Sequence, residues 1–252
     1  MAGNTSAPGT TVTSRALSLL GAFDQRHRML SLTELATRAG LPTPTAHRLV
    51  GELVEWGALT RLADGRYAVG RRVWDVGLLA PVQTGLRQAA SPFLHDVYAA
   101  TLATVHLAVR DRHQVLYVER LSGRASVPIV STVGSRLPLH CTGVGKVLLA
   151  FAPEPVQREV LRSRLRRVTR HTVTAPGLLA DQLRRVRAEG YATTVEEMSL
   201  GACSVAVPIR QGSEVVASVG IVVPSLRRDR PRLVSALQVA ASGIERSMGR
   251  PA

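Results

Sequence analysis

From Thr13 onward the apolar residues Ala16, Leu19, Leu20 and Phe23 recur at helical spacing, and polar Asp24 to Arg28 close that segment. Ser31-Leu-Thr-Glu34 reads as a capping box, in which serine and glutamate satisfy each other's free backbone amides, and Leu32, Leu35, Ala36 and Ala39 give a second helix one apolar face up to Gly40. Leu41-Pro42 turns the chain. Thr43 is expected as the next N-cap with Pro44 at the first helical position, and Ala46, Leu49, Leu53 and Trp56 form the inward stripe of a third helix that Gly57 stops. Leu59 to Val69 then alternates around Asp64-Gly65, the strongest hairpin signal in the chain.

Two short helices joined by a tight turn suit DNA reading when the second presents polar residues on its open side, because a protruding helix fits the major groove. Thr45, His47 and Arg48 lie on that side, and Thr43, Pro44 and Thr45 sit at the amino-terminal end, where free amides and the helix dipole favour phosphate oxygens. The competing reading pairs Arg48 with Glu52 one turn on, as a solvated surface feature. Arg61 and Arg66 flank the hairpin turn, from which a wing could reach the DNA backbone or minor groove; solvated arginines are the alternative.

Beyond this region the periodicity changes. Residues 71–90, with Val73, Val76, Leu79 and Leu86, read as a linker helix interrupted near Pro81. After Pro92 helices near 92–101, 143–151, 154–165, 177–189 and 231–248 alternate with six β-rich runs: 105–110, 114–120, 126–131, 191–196, 204–210 and 215–222. The short connections Asp111–His113 and Gln211–Glu214 predict hairpins and a mainly antiparallel sheet. The expected organisation is a disordered 1–11, a winged helix-turn-helix over 12–70, the linker over 71–90 and a second domain over 91–250, an α+β chain.

Composition changes this picture little. The net charge of +14 favours a polyanionic partner, but residues 1–75 carry nine arginines against six acids while 76–252 carry 23 basic residues against 12 acids, so charge by itself points to the second domain. The densest run, Arg158, Arg162, Arg164, Arg166, Arg167 and Arg170, lacks interleaved aromatics for base stacking and reads as a solvated helix face. Two cysteines, Cys141 and Cys203, make neither a disulfide framework nor a zinc cluster, so a reducing cytoplasm is expected, with no cofactor and no metal. The start of the chain lacks the features of a signal peptide, and no apolar run approaches the ~18 residues of a membrane span.

Leu137 to Lys146 packs His, Cys, Thr, two Gly and Lys into ten residues. A phosphate-binding loop would need Gly where His140 stands and Ser or Thr where Val147 stands. Cys141 as a nucleophile would need a base, which neighbouring His140 cannot be in an extended stretch. Thr142-Gly-Val-Gly145 as a bare-backbone entry to a helix could hold a carboxylate, or its glycines could only permit close packing.

Ser31-Leu-Thr-Glu-Leu-Ala36, Pro42-Thr-Pro-Thr-Ala-His-Arg-Leu49, Leu137 to Lys146 and Gly190-Tyr-Ala-Thr-Thr-Val-Glu-Glu197 together resemble the IclR family of bacterial regulators and span nearly the whole chain in that family's order. The resemblance implies a GAF-like α/β second domain that binds a small effector. Carried over by position, its pocket implicates Ser126, Cys141, Gly143, Val144, Thr194, Ala202, Ser204, Gly220 and Val222, with Met198 close by. Thr194, Gly220 and Val222 stand where members that bind small oxo-acids tend to have an aspartate and serines, which implies a bulkier, more apolar organic acid. The expected activity is that of a transcriptional regulator, in the sense of a repressor, whose homodimer or homotetramer holds a pseudo-palindromic operator in double-stranded DNA; no enzymatic activity and no membrane contact are expected. The alternatives are a redox sensor that pairs Cys141 with Cys203 and an enzyme that uses Cys141.

Overall fold

The computed structural model describes residues 11–24, 26–79, 84–123, 126–227 and 229–249, and the chain divides into two compact units, Met1–Val82 and Gln83–Ala252. The expected disorder of 1–11 falls outside the described residues except for Thr11, and the expected interruption near Pro81 lies outside them too.

In the first unit, α1 (Val12–Leu20), α2 (Leu32–Ala39) and α3 (Thr43–Trp56) pack around Leu19, Leu35, Ala46 and Leu49. A small antiparallel sheet, formed by β1 (Met29–Leu30), β2 (Leu59–Arg61) and β3 (Tyr67–Val69) in the order β1-β3-β2, adds Leu30, Leu59 and Tyr67 to that core. The capping box is complete: the Ser31 amide donates to Glu34 at 2.8 Å and the Glu34 amide donates to the Ser31 hydroxyl at 3.3 Å. Gly40 and Gly57 end α2 and α3 in the left-handed conformation, at φ 65° and 84°. Two local expectations need correction. Pro42, not Thr43, is the N-cap of α3, and no side chain caps that end; Pro44 fits in the first turn because its missing N–H would have no helical acceptor there. Trp56 turns out of the core and its ring lies beneath the Arg72 guanidinium at 4.7 Å. Arg72 belongs to α4 (Arg71–Leu78), which closes the unit.

The second unit is one six-stranded antiparallel sheet, ordered β6-β5-β4-β9-β8-β7, between two layers of helices. Its strands are β4 (Thr104–Asp111), β5 (Gln114–Leu121), β6 (Arg136–Pro138), β7 (Ala192–Val195), β8 (Cys203–Gln211) and β9 (Glu214–Val223). Leu107, Val207, Val219 and Ile221 point to one face, against Leu94 of α5 (Thr84–Thr101) and Leu237 and Ile244 of α9 (Arg230–Met248). Ala108, Tyr117 and Ala206 point to the other, against Val144 and Leu148 of α6 (Gly143–Ala150) and Leu183 of α8 (Pro176–Glu189), with α7 (Glu154–Arg162) beyond. Of the basic run, only Arg158 and Arg162 are helical; the remaining arginines follow α7 in irregular backbone.

The sixth strand is not where the pattern put it. Ser126–Ser131 is an unpaired loop despite Val127, Ile129 and Val130, because Pro128 in its middle has no amide to donate to a ladder. The short edge strand β6 pairs only with β5, and an edge tolerates Pro138. Among the described residues no helix is long and apolar enough to cross a membrane.

Candidate functional site

The outer face of α3 carries Thr43, Pro44, His47 and Arg48 exposed, with Thr45 half-buried beside buried Ala46. Because nothing caps this helix, its first-turn amides are open to an anion. Arg48 does contact Glu52, at 2.5 Å, but both side chains are more than half exposed, at 60% and 57%. Such a pair is worth only ~0.3–0.5 kcal/mol, so a phosphate or a guanine edge can replace the glutamate. In the wing, Leu62 donates its amide to the Arg66 carbonyl at 2.7 Å to close the turn, and Arg66 itself pairs with Asp64 at 2.7 Å. Arg61 is exposed and has no hydrogen bond or ion pair among the described residues.

The second unit holds a cavity of about 490 Å³, counting its open mouth, between the α6 face of the sheet and the loops that follow β5 and β7. One cross-strand row of its floor is Thr194–Ser204–Val222, in which the two hydroxyls lie 2.6 Å apart; the next row is His106–Gly220–Ala206. The first turn of α6 forms the roof. Thr142 caps it by accepting from the Gly145 amide at 3.2 Å, and the Lys146 amide donates to the Thr142 carbonyl, so the amides of Gly143 and Val144, both at the cavity wall, have no helical partner.

Two glycines let α6 sit this close. A Cβ on Gly143 would lie 2.5 Å from the Ser204 hydroxyl, and one on Gly220 would lie 2.8 Å from Val144 and 3.1 Å from the Val205 carbonyl. The packing and ligand readings of the glycine stretch therefore describe the same geometry.

Of the residues that the resemblance nominated, Gly143, Val144, Thr194, Met198, Ala202, Ser204, Gly220 and Val222 line this cavity, and Ser126 and Cys141 do not. Ser126 closes a turn on Gly123, accepting its amide at 3.1 Å. Cys141 is fully buried against the Met198 sulfur at 3.5 Å, and burial pushes its thiol up to about 12. The stretch is a 3₁₀ turn, Leu139–Cys141, rather than extended, yet His140 still cannot serve Cys141, because its Nε2 bonds the Arg166 carbonyl at 3.0 Å. The Cys203 thiol is buried as well and also raised, which disfavours a thiolate-based sensor.

Sequence reasoning missed His106, Tyr117 and Ser131. His106 is buried in β4; its Nε2 meets the Ser131 hydroxyl at 2.8 Å, and its ring stands edge-on to Tyr117 with centroids 4.8 Å apart. Burial, helped by the charge of Arg120, lowers His106 to about 3, so the imidazole is neutral. Tyr117 is pushed up by burial, a shift that the neighbouring Thr142 hydroxyl opposes. A histidine at an inward-facing position of an otherwise apolar strand was the available signal.

Behind the roof, Lys146, the chain's single lysine, meets Glu197 at 2.5 Å with side chains 1% and 7% exposed. Burial lowers the Lys146 pKa and the facing carboxylate opposes that shift; the second oxygen of Glu197 has no partner among the described residues. The pair ties α6 to the loop that brings Met198, Ser199 and Ala202 to the cavity. Among the described residues no cluster of His, Cys, Asp or Glu could hold a metal ion.

The model of the IclR helix-turn-helix domain matches residues 12–63, and that of the bacterial transcriptional regulator IclR C-terminal domain matches 80–246. The HTH-type transcriptional regulator XynR of Escherichia coli is 30% identical over 94% of this chain and 97% of its own, and the glycerol operon regulatory protein of Streptomyces coelicolor is 32% identical over 93% and 95%. Among solved structures, an IclR homolog from Microbacterium hydrocarbonoxydans, in complex with 4-hydroxybenzoate, superposes with a TM-score of 0.90 at 34% identity, covering 94% of this chain and 99% of that one. A reading helix with an open outer face, a lined cavity in a separate unit and family matches over both units agree: this chain is a member of the IclR family of bacterial transcriptional regulators, a DNA-binding protein rather than an enzyme.

Proposed function

We propose that this regulator acts in the cytoplasm as a homodimer or homotetramer that represses from a pseudo-palindromic operator, and that an aromatic carboxylic acid in the cavity changes its operator affinity. Thr43, Pro44, Thr45, His47 and Arg48 would enter the major groove, with Arg61 and Arg66 of the wing beside the backbone. The effector lies against Gly143, Val144, Thr194, Met198, Ala202, Ser204, Gly220 and Val222.

The observation that carries the ligand class is the chemistry of the wall. Among the described residues no Asp, Glu, Lys or Arg lines the cavity, so an anionic end is met there by the two open amides of α6 and the Thr194–Ser204 hydroxyls, while Tyr117, Val144, Met198 and Val222 suit an apolar ring. The 4-hydroxybenzoate in the Microbacterium homolog supports the same class. Regulation requires only that the acid bind one arrangement of the DNA-binding units better than another.

Calorimetry on the full chain tests this with benzoates against glyoxylate and pyruvate, alongside operator mobility shifts. Aromatic acids are expected to bind and to move the operator titration. If only the small hydrophilic acids bind, the reading is wrong.

A further inference from the structure

The α6 amides and the Thr194–Ser204 hydroxyls account for one polar end of the cavity, but a second polar group faces the same space. We infer that His106 and Ser131 form a hydroxyl-reading end of the cavity, which makes its ligand a hydroxylated aromatic carboxylate; this rests on the aromatic-acid reading above.

His106 and Ser131 are 4% and 3% exposed, so neither is a surface group that water satisfies. Both line the cavity, which a hydrogen bond that merely anchored the loop after β5 would not need to do. Only one ring nitrogen of His106 is used, by the Ser131 hydroxyl; the other has no protein partner among the described residues and is left for a group inside the cavity to meet. The same-face neighbour of His106 on β9 is Gly220, over which Val144 of α6 packs, so an apolar wall borders the imidazole on that side of the cavity.

The chemistry assigns which end is which. A neutral imidazole offers no charge to a carboxylate, so the acid goes to the α6 amides. A neutral imidazole and a serine hydroxyl can each donate or accept, and a phenolic O–H does both as well, donating to one partner and accepting from the other. Tyr117, edge-on to His106, then borders the ring between the two ends.

The test is calorimetry on the full chain with 4-hydroxybenzoate, benzoate and 4-methylphenol, for the wild type, His106→Phe and Ser131→Ala, with thermal melts to check folding. A site built around a hydroxyl rejects the analogue that lacks it, so the wild type should favour 4-hydroxybenzoate over benzoate by at least about tenfold, and both variants should bring that ratio near one. A wild-type ratio near one, or an unchanged ratio in both variants, overturns the inference. If 4-methylphenol binds as tightly as 4-hydroxybenzoate, the hydroxyl end stands and the carboxylate end is wrong; if no arene binds, both are wrong. Should His106→Phe fail to fold, Ser131→Ala still reports, together with the imidazole nitrogen resonances of wild-type His106. These should move with 4-hydroxybenzoate and not with benzoate, and the opposite result refutes the assignment.

Discussion

Arg48–Glu52 on α3 and Lys146–Glu197 under the cavity roof are both ion pairs with 2.5 Å contacts, and they do opposite jobs. The first lies in water, where each charge keeps most of its hydration, so the contact adds little and releases easily. That suits an arginine that must exchange its glutamate for DNA. The second has lost its water on both sides, and neither partner can leave without stranding a charge in the interior. That suits a strut between the helix and the loop that shape a binding site. Burial, rather than distance, sets the role of each pair.

The largest effect should come from breaking the buried pair. Lys146→Ala should cost ~3–5 kcal/mol of stability in urea unfolding, because Glu197 remains buried and uncompensated, and replacing both residues by apolar ones of similar size should restore most of it. A Lys146→Ala loss no larger than that of Arg48→Ala would remove the contrast.

Acid should then expose the buried polar group on the cavity side. His106 is lowered to about 3 from an ordinary 6.5, so the unfolded chain takes up a proton below about 6.5 that the folded chain refuses until about 3. Stability from this residue is therefore intact above about 6.5 and falls by roughly 1.4 kcal/mol per pH unit on the way down to about 3. Urea midpoints of the wild type and His106→Phe between pH 7 and pH 4 should diverge accordingly; parallel curves would show that His106 is not held neutral.

On the exposed side the effect belongs to binding. Arg48→Ala should weaken operator binding by ~1–3 kcal/mol if the arginine reads a base, and Arg61→Ala should lower affinity evenly across sequences and reduce the salt slope by about 1 if it meets a phosphate. Mobility-shift titrations at several salt concentrations separate the two. The smallest effect is the stability change of Arg48→Ala itself, expected below ~0.5 kcal/mol by urea unfolding.

The exposed site was largely legible because its determinants are local. Ser31 and Glu34 are three residues apart, and the residues of the reading helix fall within Thr43–Arg48, so short-range periodicity and capping chemistry locate them. The exceptions were details of termini: Pro42 took the cap expected of Thr43, and Trp56 turned outward to meet Arg72, sixteen positions away. In the second unit the strands were legible wherever apolar residues alternate, but Ser126–Ser131 shows the limit of composition, since β-branched residues form no strand without a partner edge.

Sequence alone determined the elements whose causes lie within one turn or one hairpin: the capped helices, the wing at Asp64-Gly65 and the glycines around α6. Only the tertiary structure decided that His106, Ser131, Gly143, Ser204 and Gly220, spread over more than a hundred positions, face one cavity, and that Lys146 sits beside Glu197 rather than in water. Side-chain facing depends on strand register, and register depends on which strands meet, so no local window of the chain contains that information.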